Sequence, residues 1–327
     1  MTEKRERLEA AIQGKRADRP PVALWRHFPV DDQEARTLAG SIAGFQREYD
    51  FDFVKATPAS SFCLKDWGAQ DSWRGSAEGT REYTRRVVES PEDWRRLRVL
   101  DPEKGYLGEQ LACLRHLKEM LGDNVPIIQT IFSPLSQAKN LAGEERMLVH
   151  LRRDPDALRA GLETIFESTR AFIDRARLCG VDGIFYAVQF ASYRFMDRET
   201  YRRVAEDQDR ELLDAAGDMW LRLLHLHGED LMFDVARSLP ANVVNWHDRE
   251  TSPGLAEGRA EIRGAVCGGV SRETLVFGDA RGVREEVEDA FRATGGGEGL
   301  VVSTGCVVPI IAPRGNLVAL REAVECA

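Results

Sequence analysis

The 327-residue sequence has no apolar run of the roughly 18 residues a membrane helix requires, so no membrane span is expected. It has no basic block either. Lys and Arg total 45 against 54 Asp and Glu, for a net charge of −9. That balance argues against nucleic acid as the main partner. The six cysteines (Cys63, Cys113, Cys179, Cys267, Cys306, Cys326) form no C-x-x-C pair. Scattered over so long a chain, they argue against a disulfide framework and make a reducing cytoplasm the expected compartment. The opening Met-Thr-Glu-Lys-Arg-Glu-Arg-Leu is charged and helix-like rather than a secretory signal. No linker rich in Pro, Gly or Ser divides the chain, and no low-complexity tract occurs.

What is present is a hydrophobic fraction of 43%, ample for a large core. Short apolar runs alternate with longer amphipathic stretches. The runs that read as strands are Pro21–Trp25, Phe51–Ala56, Pro126–Ile131, Gly183–Val188, Leu221–Leu226, Val243–Trp246, Ala265–Gly269 and Gly299–Ser303. Helical patterns lie between most of them, including Ala157–Cys179, Asp197–Trp220, Gly254–Gly264, Val283–Thr294 and Gly315–Val324. Eight strand-helix alternations predict an α/β fold, a (β/α)8 barrel formed by residues 1–327 as one domain. The long interval 57–125 is expected to be an elaborated segment after the second strand, with Ser90 and Pro91 opening a helix. The glycine-rich Thr294–Gly299 segment follows a helix and precedes a strand, the reverse of a phosphate loop, and reads as a helix cap and turn.

Barrel enzymes carry their chemistry at the C-terminal strand ends. That filter selects Arg26 and His27 after the first strand, Asp52 and Lys55 on the second and Gln129 on the third. It adds Tyr186 and Gln189 at the fourth, His225 and His227 at the fifth, His247 and Asp248 at the sixth, and Cys306 after the eighth. His225 and His227 are two apart, so on a strand both imidazoles share one face. With Cys306 they form either a three-ligand zinc site with an open position or a set of mouth histidines hydrogen-bonding a substrate beside a small buried thiol. Arg26 and His27 read as an anion-binding pair, or Arg26 as a surface partner of Asp31 or Asp32. Gln129 and Gln189 are expected to contact substrate. Asp52 reads as a general acid or base, or as a partner of Lys55; Tyr186 as a pocket donor; and His247 as a metal ligand, an acid or base, or a supporting partner. His116 and His150 fall in helical patterns and are expected at the surface.

The ends of the sequence resemble the uroporphyrinogen decarboxylase superfamily. The opening carries Arg7-Leu-Glu-Ala-Ala-Ile-Gln-Gly14 and Asp18-Arg-Pro-Pro-Val22. The tail carries Cys267-Gly-Gly269, Ser303-Thr-Gly-Cys306 and Pro313-Arg-Gly-Asn-Leu317. The resemblance implies a (β/α)8 barrel and often a homodimer. Its decarboxylase branch removes carboxylates from porphyrinogens without metal or cofactor and carries two arginines after the first strand. Here Leu24-Trp-Arg-His-Phe-Pro29 matches the first with Arg26 and lacks the second, and the branch's catalytic aspartate has no convincing match. A second branch comprises zinc-dependent methyltransferases acting on corrinoid proteins and thiols. It carries His-x-Cys-Gly after the fifth strand and a Cys after the eighth. His225, Gly228 and Cys306 match, and His227 stands where a Cys is expected.

Three functions follow as expectations. One is a zinc enzyme moving a methyl or one-carbon group on a small molecule, with a corrinoid protein as partner. Another is a cofactor-free decarboxylase in which Arg26 holds a carboxylate and Asp52 or a histidine moves the proton. The third is a non-catalytic corrinoid- or tetrapyrrole-binding module.

Overall fold

The computed structural model describes residues 2–326, and the side chain of Cys326 lies outside what it describes. Nine strands occur among these residues: β1 Val54–Ala56, β2 Gln70–Trp73, β3 Arg81–Arg85, β4 Ile127–Phe132, β5 Gly183–Val188, β6 Leu221–Leu226, β7 Val243–Trp246, β8 Ala265–Val270 and β9 Leu300–Thr304. Seven of them form one parallel sheet in the order β1-β4-β5-β6-β7-β8-β9. Residues of β4, β5, β8 and β9 are buried throughout, as expected of a parallel sheet covered by helices on its outer face.

The expected first strand is not a regular strand. Pro20 and Pro21 have no N–H to donate, which limits ladder formation to a single parallel bridge between Val22 and Val302 of β9. Around it, Val302 N donates to Pro21 O at 2.8 Å and Ala23 N to Val302 O at 3.1 Å. On the other side Asp52 N donates to Val22 O at 2.8 Å. The two ends of the curled sheet therefore meet on one extended segment. The second strand is shorter than the expected Phe51–Ala56. Asp50 adopts a left-handed φ of 51° to end the helix Ala35–Tyr49, and residues 51–53 lead from it into β1.

Within 57–125, β2 and β3 pair as an antiparallel hairpin that the polar sequence did not disclose. The helix Pro91–Arg96 begins at Ser90 with a capping box to Asp93. The expected Asp197–Trp220 helix is interrupted: Arg198–Tyr201 and Asp207–Asp214 flank a π-helical turn at Arg202–Glu206. The glycine-rich segment is a turn between the helix Ala280–Ala293 and β9. The cysteines Cys63, Cys113, Cys179, Cys267 and Cys306 are all free. No described helix is long and apolar enough to cross a membrane.

Candidate metal centre

A cavity of about 600 Å³ opens at the C-terminal ends of the strands. Its walls obey the two-residue strand period: Trp25 and His27, Lys55 and Thr57, Phe185 and Ala187, His225 and His227 all face inward. The β2–β3 hairpin supplies Glu78, Thr80 and Glu82 to the same wall.

Four side chains converge at one side of this space. His225, His227, His247 and Cys306 bring one donor atom each to within 4.8 Å of one another. Nδ1 of His227 lies 3.4 Å from Nε2 of His225 and 3.3 Å from Nε2 of His247. Sγ of Cys306 lies 3.9 Å from His225 Nε2 and 3.8 Å from His227 Nδ1. A tetrahedral zinc with ordinary bond lengths has nitrogen-nitrogen edges of about 3.3–3.4 Å and nitrogen-sulfur edges of about 3.5–3.6 Å. The donor set fits that ion in type and nearly in spacing.

The chain also fixes how the rings present themselves. His225 Nδ1 lies 2.6 Å from Asn245 Oδ1. The amide of Asn245 donates to Cys267 O at 2.7 Å and Thr304 O at 3.0 Å, so its oxygen must face the ring as acceptor. His225 therefore carries its proton on Nδ1 and turns the Nε2 lone pair toward Cys306. His247 Nδ1 likewise faces Glu250 Oε2 at 3.0 Å, which directs Nε2 inward. Gly305 lets the fourth donor approach: a Cβ there would meet Trp246 O at 2.6 Å and His247 Cα at 2.7 Å.

Burial alone would push the Cys306 thiol up, but the three neighbouring histidines outweigh it and hold the group well below its ordinary range. Burial opposes charge on His247 too, yet Cys306 and Glu250 raise it to about 9. Burial lowers His225. Across the cavity, burial lowers Lys55 to about 7. Its ammonium sits 4.5 Å from the centre of the Phe185 ring and donates to Thr57 Oγ1 at 3.3 Å. Burial, reinforced by Lys55, lowers His27 to about 4 and keeps it neutral.

The sequence-selected residues divide sharply. His27, Gln189, His225, His227 and Cys306 line the cavity, and His247 stands directly behind as the additional donor. Four others lie elsewhere. Arg26 points away from the cavity between Phe28 and Phe45, each ring centre 5.1 Å from its guanidinium. It pairs with neither Asp31 nor Asp32. Gln129 faces outward, accepting from Gln110 at 2.8 Å. Tyr186 also faces outward and donates to Asp209 at 2.6 Å. Asp52 is fully buried near the opposite end of the sheet, bound to Arg19 at 2.7 Å, Arg7 at 3.2 Å and Val22 N at 2.8 Å, and not to Lys55. His150 is buried rather than at the surface, accepting from Trp94 Nε1 at 2.9 Å, while His116 is half-buried beside Glu119. The sequence reading missed the supporting roles of Asn245 and Glu250, and the hairpin wall. A carboxylate three residues after His247 was the signal available.

A family model described as uroporphyrinogen decarboxylase (URO-D) matches residues 3–326. Among curated proteins, the methylcobamide:CoM methyltransferase MtbA of Methanosarcina acetivorans is 23% identical, over 99% of this chain and 97% of its own length. The uroporphyrinogen decarboxylase of Azotobacter vinelandii is 23% identical over 70% of this chain and 66% of its own. Among solved structures, a methyltransferase from Methanosarcina mazei superposes with a TM-score of 0.86 at 18% identity, covering 99% of both chains. At that identity the superposition speaks for the fold.

Proposed function

The chain belongs to the uroporphyrinogen decarboxylase family, and from that premise we propose that it is a zinc-dependent enzyme transferring a methyl or other one-carbon group on a small-molecule substrate, with a corrinoid protein as further partner. The observation that carries this reading is the convergence of His225, His227, His247 and Cys306 on one point beside a large cavity. The end-to-end match to methylcobamide:CoM methyltransferases supports it. We read the architecture as a single-domain (β/α)8 barrel in which the Val22 segment takes the remaining strand position.

When bound, zinc supplies Lewis acidity and stabilises a coordinated thiolate or oxyanion. His225, His227 and Cys306 would hold it, with His247 as the fourth ligand. His227 as a ligand accounts for the histidine at the position where the methyltransferase branch carries Cys. Asn245 and Glu250 engage the outward nitrogens of His225 and His247, which would leave the inward nitrogens for the metal when it is bound. Lys55, buried and carrying no carboxylate partner among the described residues, would bind an anionic group of the substrate. Trp25 Nε1 and Gln189 Oε1 are buried on the cavity wall without protein partners, offering one donor and one acceptor. Trp25 and Phe185 would shield the reacting atoms from water.

Cofactor-free decarboxylation finds less support, because Arg26, its carboxylate holder, and Asp52, one of its two candidate proton carriers, lie away from the cavity, which leaves only the histidines for the proton. The test is metal content and methyl transfer. Untagged protein should carry about one zinc per chain, lost in His225→Ala and Cys306→Ala. The zinc form should demethylate methylcobalamin with a thiol acceptor. Full turnover by a metal-free protein in chelator would overturn the proposal.

A further inference from the structure

We propose that Glu78, at the turn of the β2–β3 hairpin, positions His247 through Arg272 and Glu250, so that closure of the hairpin over the cavity and grip on the metal form one coupled equilibrium. The proposal rests on the metal reading above and adds a control element to it.

The chain of contacts is continuous. His247 Nδ1 donates to Glu250 Oε2 at 3.0 Å. Arg272 clasps the same carboxylate with two prongs, Nε to Oε1 at 2.9 Å and Nη2 to Oε2 at 2.9 Å. Its remaining terminal nitrogen, Nη1, donates to Glu78 Oε1 at 2.6 Å, across 194 residues of sequence. A guanidinium is planar, so the fork on Glu250 fixes the direction in which Nη1 points. Glu78 completes that geometry from the hairpin. Arg272 is only 18% exposed, which spares the pair some of the screening that weakens surface ion pairs.

The hairpin tip is tied to the second ligand-bearing segment as well. Ile310 N, four residues beyond Cys306, donates to Ala77 O at 2.7 Å. Gly79 packs so closely on His27 that a Cβ would come within 2.7 Å of it, at a φ of +76°. Glu78 and its neighbours thus rest on both the His247 loop and the Cys306 loop while lining the cavity. A carboxylate on the far nitrogen of a ligating histidine sets ring orientation and donor strength. Whatever holds Glu250 on that nitrogen therefore acts on the metal. Coupling between two sites is reciprocal: if hairpin closure tightens the metal, the metal must tighten the hairpin by the same factor.

The experiment uses the full chain, metal-free and loaded with zinc or cobalt(II). Zinc affinity is measured by chelator competition, the ligand field by the cobalt(II) spectrum, and hairpin opening by hydrogen exchange over residues 70–85. In the wild type, zinc should slow hairpin exchange. Glu78→Gln should keep its fold by circular dichroism, bind zinc at least about fivefold more weakly, shift the cobalt(II) spectrum and lose the zinc-dependent hairpin protection. Combined with Glu250→Gln it should add little further weakening, because both act through His247. Wild-type zinc affinity and spectrum in Glu78→Gln, or full additivity with Glu250→Gln, would overturn the coupling while leaving the metal centre intact. A wild type that takes up no metal would instead overturn the metal reading itself.

Discussion

The molecule holds two buried polar clusters of opposite character. Near one end of the sheet, Asp52 is saturated: Arg19, Arg7 and the Val22 N–H meet its two oxygens, and the segment that joins β9 to β1 is clamped as a result. At the other end, His225, His227, His247 and Cys306 turn their donor atoms toward one another, while their outward atoms are held by Asn245 and Glu250. The first cluster satisfies its own charges and needs no ligand. The second turns four donor atoms toward one point beside the cavity. Charge pairing inside a fold therefore marks structure, and convergence of like donors marks chemistry.

That contrast can be attacked from its strongest side. Asp52→Ala takes the buried partner from Arg19, leaving it the exposed Glu325, while half-buried Arg7 keeps Asp18; it should cost about 3 kcal/mol by chemical denaturation, with zinc content unchanged. A loss of zinc in that variant would erase the distinction between the clusters.

Asp209 is an intermediate case, a carboxylate fully buried on the outer side of β5 that accepts from Tyr186 at 2.6 Å and Tyr201 at 2.5 Å. Burial raises it from 3.8 to about 6 despite those two donors. Between those values the folded state holds a proton that the unfolded chain has released. Its contribution to stability therefore falls as pH rises through the window, by about 3 kcal/mol in total. Urea titrations from pH 4 to about 7 should show that decline in the wild type and not in Asp209→Asn. Parallel profiles for the two proteins would place Asp209 with the saturated clusters.

The smallest effect is expected at Asn245, which would act on the proposed zinc only through His225. Asn245→Ala should weaken zinc affinity by about tenfold to a hundredfold, read by chelator competition. An unchanged affinity would show that the ring of His225 is held by packing alone, its stacking on Phe185 at 5.2 Å being the alternative restraint.

Much of the scaffold was legible. The strands β5, β6 and β7 fall on the residues where apolar runs predicted them, because buried parallel strands need continuous apolar sequence. The pair His225 and His227, with Cys306 after β9, was legible for the same reason: strand parity and strand ends follow from local pattern. Arg26, Gln129 and Tyr186 share one cause of misplacement. Each sits one residue out of step with an inward-facing neighbour: Trp25 and His27, Thr130, or Phe185 and Ala187. Strand periodicity says which residues share a face but not which face looks inward. Polarity misled here, since this cavity is walled partly by aromatics while the outward Gln129 and Tyr186 find partners in Gln110 and Asp209 on the helices.

The sequence by itself determined the α/β alternation, the acidic character of the chain, and a His-x-His pair at a strand end, all of which are properties of composition or of neighbouring residues. Tertiary structure alone decided that His247 joins that pair with Cys306, that Asp52 ties together the segments at the two ends of the sheet, and that a polar hairpin reaches the His247 loop through Arg272. Those facts depend on contacts between residues 20 to 194 positions apart, and such contacts follow from how the sheet curls rather than from any local pattern.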